Sequence, residues 1–465
     1  MVFSSPSFLF LFLPAFLGAY YLTPTRYRSV TILAGSWIFY GWWRLDFLGL
    51  LIVTTAVNYA ASLAIDLSRS RKLRLRYLAL AVAFDLFVLG YFKYFNFFVD
   101  SVAAVMWPDG SIPSIARIVL PIGISFYVFQ AISYVVDVYR RDAPPASSFV
   151  DFAAFIALFP QLIAGPVLRY KDLAPQFAER THSVALFAEG SRRFVIGLAK
   201  KVLLADGVAA MADAAFAASD PTFMDAWLGA LAYAVQLYFD FSGYSDMAIG
   251  LGLMLGFRYT ENFRFPYVSQ SITEFWRRWH ISLSTWLRDY LYVPLGGNRR
   301  GRRRTYVNLL ITMVLGGVWH GANWTFLIWG AWHGALLALE RLAGVRVGIA
   351  LYPRLLALPI TLTVVIIGWV MFRAPDVAAA LVLYQGMVGA NGFWLSDDLA
   401  WQIGRADLAV LALAWAIAFA EPALSRIEWE RAAPIFQSAG VTALAVLAVL
   451  KVSAATFSPF LYFQF

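Results

Sequence analysis

The sequence contains no cysteine, which excludes disulfides, thiol nucleophiles and thiolate metal sites together. Charge is scarce as well: 14% of the 465 residues are Asp, Glu, Lys or Arg, against about 25% in a soluble domain. Only four histidines are present. None stands at the H-E-x-x-H spacing or a comparable one, so no metal site is expected. A G-x-S-x-G elbow and a phosphate-cradling P-loop are both missing, which removes hydrolases of that kind and nucleotide-driven pumps. Low-complexity linkers and internal repeats are also missing, so residues 1–465 read as one integral domain.

What the chain has in quantity is apolar surface. Hydrophobic residues make up 61% of it and aromatics 17%. Apolar stretches of about 20 residues, enough to cross a hydrocarbon core of about 30 Å, recur from Ser7 to Phe457. Ten to twelve can be read, which predicts an all-α, multi-pass membrane protein. The first, over residues 8–21, lacks a basic leader and a small-residue cleavage site, and is expected to be retained as a span.

The net charge of +9 is not a nucleic-acid signal, because the basic residues fall in short gaps between apolar segments. Arg26 and Arg28 form one group, and Arg69, Arg71, Lys72, Arg74 and Arg76 a second. Arg140 and Arg141 form a third, and Arg299, Arg300, Arg302, Arg303 and Arg304 the densest. By the positive-inside rule these gaps are cytoplasmic. Two spans, 29–45 and 47–66, separate the first two groups and place Met1 outside.

Polar interruptions of the apolar pattern concentrate between Asp137 and Trp332, and ionisable groups at membrane depth usually mark a site. In residues 159–170, FPQLIAGPVLRY, Pro160, Gly165 and Pro166 predict either a re-entrant element or a kinked span. In residues 236–257, Asp240 and Asp246 lie within apolar sequence and either pair with basic groups or hold an ion. Residues 274–297, EFWRRWHISLSTWLRDYLYVPLGG, read as an interfacial helix with Glu274 and Arg278 one turn apart. On that helix Arg277, His280 and Ser284 would share a stripe. Arg277 and Arg278 are either snorkelling anchors or, with the Arg299 to Arg304 group, a mouth for an anionic ligand such as the phosphates of coenzyme A. Residues 309–339 carry no charge and hold His320 and His333, each of which is either a general base or a buried histidine satisfied by a helix carbonyl.

Eight segments stand in order along the chain: MVFSSPSFLFLFLP, LPIGISFYVFQ, FPQLIAGPVLR, QLYFDFSGYSDMAIGLG, ENFRFPY, EFWRRWHISLSTWLRDYLYVPLGGNR, VWHGANWTF and SPFLYFQF. Together they resemble the membrane-bound O-acyltransferases, in particular their bacterial alginate O-acetylation branch. The resemblance spans nearly the whole chain. It implies a ring of transmembrane helices around a thinned centre, with re-entrant and interfacial helices about a central funnel. It matches His320 to the catalytic histidine and His280 to the upstream polar position of a two-residue signature. His333 has a structural or supporting reading, and His182 is expected to be a solvated loop residue.

The same resemblance implies acetyl-CoA as donor, no permanently bound cofactor, and a bacterial inner-membrane location. It also implies two partners: the polysaccharide synthesis machinery, and a periplasmic or membrane-anchored acetyltransferase that acts on the polymer. The polymer itself is alginate or, as an alternative, cellulose or another exopolysaccharide. A polysaccharide export channel is the rival from a different class, although no polar stripe repeats across several spans.

Residues 460–465, FLYFQF, end the chain in an F-x-Y-x-x-F pattern. On composition this is an interfacial aromatic anchor. The resemblance offers a second reading, because a small partner protein of the teichoic-acid branch ends similarly and its tyrosine is thought to receive the acyl group. Tyr462 would then be a covalent acyl relay, suited to it by a phenol pKa of about 10.

Overall fold

A computed structural model describes residues 1–107, 116–345, 353–426, 434–454 and 460–461. Among the described residues the secondary structure is entirely helical, with no strand. Helix is what this composition demands in lipid, where each backbone N–H and C=O must be satisfied within its own segment. Two compact units are formed, one from Met1–Ser191 with Ala248–Thr260, the other from Arg192–Met247 with Glu261–Phe465.

In the first unit the helices Arg28–Gly41 and Leu45–Leu67 stand where spans 29–45 and 47–66 are expected. The turn between them is held by Arg44, whose guanidinium grips Asp46 in the first turn of the second helix. Leu45–Leu67 and Arg71–Met106 are two of the four described helices long and apolar enough to cross a membrane; the others are Leu355–Arg373 and Arg405–Leu424. Two pairs of polar groups meet inside this apolar unit. Asn58 donates to Asp85 at 2.8 Å, and the Ser62 and Tyr134 hydroxyls meet at 2.7 Å.

Residues 159–170 prove to be a broken segment rather than a kinked span. The helix Phe149–Ile156 stops, one turn forms over Phe159–Leu162, and non-helical backbone runs on to the helix Tyr170–Ala178. Such backbone survives at membrane depth only when protein satisfies it. Here the Phe159 N–H donates to Ser36 Oγ at 3.1 Å, and the Gln161 side chain donates to Gln130 at 3.2 Å. Gly123, at φ +76°, lets the preceding turn approach closely, since a Cβ there would lie 2.7 Å from the Leu162 carbonyl oxygen.

The second unit is built around the part of the long helix Phe223–Met254 that runs as far as Met247. Its core is aromatic, with Tyr233, Tyr238, Trp279, Trp329 and Trp369 all buried. Asp240 and Asp246 are paired with cations, as one of the two sequence readings has it. Lys201 Nζ lies 2.7 Å from Asp240, while Arg193 and Lys200 reach Asp246 at 2.9 and 3.1 Å. Lys200 also binds Glu421 at 3.0 Å, whose other oxygen accepts from the Tyr238 hydroxyl. Shared ion pairs of this kind are what make several charges tolerable in a buried setting.

Candidate active site

His320 is the last residue of the helix Arg302–His320, which turns back at Gly321 into the helix Trp324–Leu342. Asn323 caps the second helix by accepting from the Thr325 N–H at 3.1 Å. The pair packs along a glycine seam. A Cβ on Gly317 would lie 2.3 Å from the Phe326 carbonyl oxygen, and one on Gly330 would lie 2.5 Å from that of Met313. Small residues at this crossing let the two backbones touch, the usual device for helix association in lipid. The seam leaves the His320 ring little freedom. It is buried, with Trp319, Trp329 and Phe372 at centroid distances of 5.1, 5.3 and 5.2 Å.

His280 reaches the same place from a different element. The single interfacial helix expected from residue 273 does not form: the chain makes two short helices, Ile272–Arg278 and Ile281–Leu287, and breaks at His280. His280 takes a left-handed conformation, φ +43°. For a non-glycine residue this costs on the order of 1 kcal/mol and persists only where neighbours impose it. The neighbour here is the segment at Asn262. Its backbone carbonyl accepts from the Ile281 N–H at 2.9 Å, and its side-chain oxygen accepts from Ser282 Oγ at 2.9 Å. The same oxygen stands 3.1 Å from His280 Nδ1, and Asn262 Nδ2 donates to Ser245 Oγ at 3.1 Å. An amide oxygen can only accept, so Nδ1 carries the imidazole proton and the lone pair resides on Nε2. The His280 and His320 rings lie 6.3 Å apart.

His333 stands one layer behind. Trp276 Nε1–H donates to its Nδ1 at 3.3 Å, and the Trp329 ring separates it from His320, at 5.1 Å from one and 5.3 Å from the other. It supports the aromatic wall rather than facing His320.

A cavity of about 630 Å³ opens beside these elements, lined by Trp276, Arg277, Ile281, Ser284, Met313 and Arg341 among others. Ile281 follows His280 directly, and Met313 lies two helical turns before His320. Arg277 and Arg341 have no carboxylate within 4 Å among the described residues, while Arg288, also on the wall, is paired with Asp289 at 2.7 Å. The two arginines singled out from the sequence therefore part company. Arg277 faces the cavity, whereas Arg278 is bonded to Glu274 at 2.7 Å, the one-turn pair the sequence predicts, and to the Arg264 carbonyl at 3.2 Å. Arg341 also borders a second cavity of about 560 Å³, together with Arg302.

Tyr462 lies outside the described residues. Its neighbours do not: the Leu461 N–H donates to Asp240 at 2.9 Å, and the Phe460 ring stacks on Tyr244 at 4.5 Å. The Phe241 ring bridges Phe460, at 6.2 Å, and His280, at 4.7 Å. The sequence reading missed Asn262, the residue that orients His280. Its only signal was its presence in the segment ENFRFPY.

His182 departs from the expected solvated loop residue. In the first unit it is half-buried, with Nε2 2.9 Å from the Tyr20 hydroxyl and the Arg28 guanidinium 3.1 Å away. Burial, with Arg28 and Arg180 beside it, lowers its pKa from the ordinary imidazole value. The Tyr20 hydroxyl donates to the Leu255 carbonyl at 2.8 Å, so the loop is tied down by bonds whose other halves lie far away in sequence.

The chain belongs to the membrane-bound O-acyltransferase family, which it matches over residues 140–378, a range that includes His280, His320 and His333. It is 53% identical, over the full length of both chains, to a probable alginate O-acetylase of Azotobacter vinelandii. It is 52% identical over the same extent to a probable alginate O-acetylase of Pseudomonas putida. A peptidoglycan O-acetyltransferase of Helicobacter pylori is 36% identical over 84% of this chain and 80% of its own. The protein is therefore a membrane acyltransferase, and the reading as an export channel falls away.

Proposed function

We propose that this protein takes acetyl from acetyl-CoA on the cytoplasmic side of a bacterial inner membrane and passes it through the membrane for O-acetylation of a secreted polysaccharide, alginate. Ten to twelve spans arranged as a ring would enclose the route. The observation that carries the reading is the buried pair His280 and His320, 6.3 Å apart, with an arginine-lined cavity walled by Ile281 and Met313 of the same segments. Alginate as acceptor is favoured by the full-length likeness to the proteins named for it. The likeness to a protein named for peptidoglycan keeps a second acceptor class in view.

The chemistry suits these groups. Arg277 and Arg341 attract the phosphates of the donor, with Arg278 holding the short helix Ile272–Arg278 through Glu274. His320 accepts a proton from the attacking hydroxyl, and His280, with its lone pair on Nε2, assists. In the relay reading that hydroxyl is the phenol of Tyr462. Its oxygen attacks the thioester carbonyl, the C–S bond breaks, and the proton held by the histidine leaves with the thiolate as coenzyme A. The aryl acetyl ester then passes its acetyl to a hydroxyl, regenerating the phenol. A separate acetyltransferase, periplasmic or anchored in the membrane, places the group on the polymer beside the synthesis machinery.

Tyr462→Phe, which removes only the hydroxyl, should eliminate polymer acetylation, and mass spectrometry of the C-terminal peptide should find an acetyl ester when the downstream acceptor is withheld. Wild-type acetylation by Tyr462→Phe would return the tail to the role of an aromatic anchor.

A further inference from the structure

We propose that Asp240 is a latch for the C-terminal tail, and through the tail a positioning residue for acetyl transfer; the second half rests on the relay reading of Tyr462 given above.

Asp240 lies inside the helix Phe223–Met254 and is buried. One carboxylate oxygen is taken by Lys201, 2.7 Å away, and Lys201 is shared with Asp206 at 2.6 Å. One cation thus serves two carboxylates, which leaves Asp240 with acceptor capacity that a buried anion must fill. The group that fills it is the backbone N–H of Leu461, 2.9 Å from the second oxygen and 221 residues distant in sequence. A charge-assisted bond of this kind is among the stronger ones available to a backbone N–H. One helical turn further on, Tyr244 carries the stacked Phe460 ring, and both Phe460 and Leu461 are buried.

The position of the latch matters more than its strength. Phe241, next to Asp240, packs against the His280 ring at 4.7 Å, so the helix that holds the tail also walls the histidine pair. Tyr462 is the next residue after Leu461. A backbone N–H alone would serve at any residue, so it is the Phe460 ring stacked on Tyr244 beside the bond that sets the register and brings the Leu461 N–H, rather than a neighbour's, to Asp240. A surface anchor has no use for such register, whereas a group that must meet a reacting carbonyl depends on it, since misplacement by about 1 Å costs about 100-fold in rate.

The absence of cysteine gives a direct test. Leu461→Cys in the full-length protein introduces one thiol and keeps the backbone N–H. Maleimide labelling of that thiol in proteoliposomes should be slow, and faster by about tenfold or more when Asp240→Ala is added. Leu461→Pro, which deletes the N–H and leaves Lys201, Asp206 and Asp240 together, should lower acetyl turnover about 100-fold with apparent affinity for acetyl-CoA unchanged. Leu461→Ala, which keeps the N–H, should fall at least about tenfold less far than Leu461→Pro. Rapid labelling with Asp240 intact would overturn the latch, as would equal turnover of the proline and alanine variants. Slow, Asp240-dependent labelling together with an active Tyr462→Phe protein would uphold the latch and overturn the relay. Leu461→Pro also guards against a folding failure of Asp240→Ala, because it leaves the ion pairs untouched.

Discussion

Two regions of the second unit solve the problem of polarity in an apolar interior in opposite ways. The glycine seam around His320 excludes fixed charge: from Leu309 to Leu339 there is no Asp, Glu, Lys or Arg, and the rings around His320 include Trp329 and Phe372. Along Arg193, Lys200 and Lys201, by contrast, cations are admitted and matched with Asp206, Asp240, Asp246, Glu261 and Glu421. The first region holds the group to which the proposal gives the proton transfer. The second has the fixed charges and is correspondingly a frame.

The largest expected effect breaks the first region at its centre. His320→Ala should lower polymer acetylation by about 100- to 10,000-fold, the range of general acid–base contributions, with membrane insertion and expression unchanged. An active, well-expressed variant would remove His320 from the chemistry. Next, Lys201→Ala leaves Asp206 and Asp240 without their shared cation and should destabilise the fold by about 3–5 kcal/mol, as breaking one side of a buried ion pair does. Thermal unfolding in detergent reads this, and a variant as stable as the parent would show that the frame does not depend on its pairs. Gly330→Ala should cost about 1–3 kcal/mol by overpacking the seam and reduce turnover more than donor affinity. Proportionate losses in both would mean that the seam does not set the His320 ring. The smallest effect belongs to the rim. Arg277→Ala should weaken apparent acetyl-CoA affinity by about tenfold, the loss of one charge-assisted bond, with the rate at saturation little changed. Unchanged affinity with a reduced rate would place Arg277 in the chemical step instead.

Much of this arrangement was legible from residue type. The positions of the helices Arg28–Gly41 and Leu45–Leu67 followed from apolar run length and the basic gaps around them. Asp240 and Asp246 stood out as carboxylates that either pair or hold an ion, and the structure decides for pairing. The Glu274 and Arg278 pair followed from one-turn spacing. The break at His280 did not, because nothing in WRRWHIS is a helix breaker. It is imposed by Asn262, a contact across 18 residues that no local pattern encodes. His182 was misjudged for a similar reason. A polar stretch at 179–183 reads as solvated, yet Tyr20 and Arg28, more than 150 residues earlier, enclose its histidine. Beyond Arg141 the apolar pattern is interrupted by Lys171, Lys200 and Lys201, whose partners, including Glu421 for Lys200 on a helix far along the chain, are invisible to hydropathy.

Those two lysines sit in a stretch of wider winding, the π-helical residues Lys200–Ala205 that follow Val184–Ala199. In such a stretch each N–H reaches one residue further back than in an α-helix, so the turn holds a surplus residue. That surplus is what lets neighbouring lysines address different acids, Lys200 taking Asp246 and Glu421 while Lys201 takes Asp206 and Asp240. It also makes the length of the stretch heritable as a unit. Loss of a single codon here would restore ordinary winding and keep the register of the helix beyond it, but would redirect the lysines within the stretch away from their acids. Substitutions can accumulate around the lysines one at a time, but their spacing can change only together with the carboxylates that answer them.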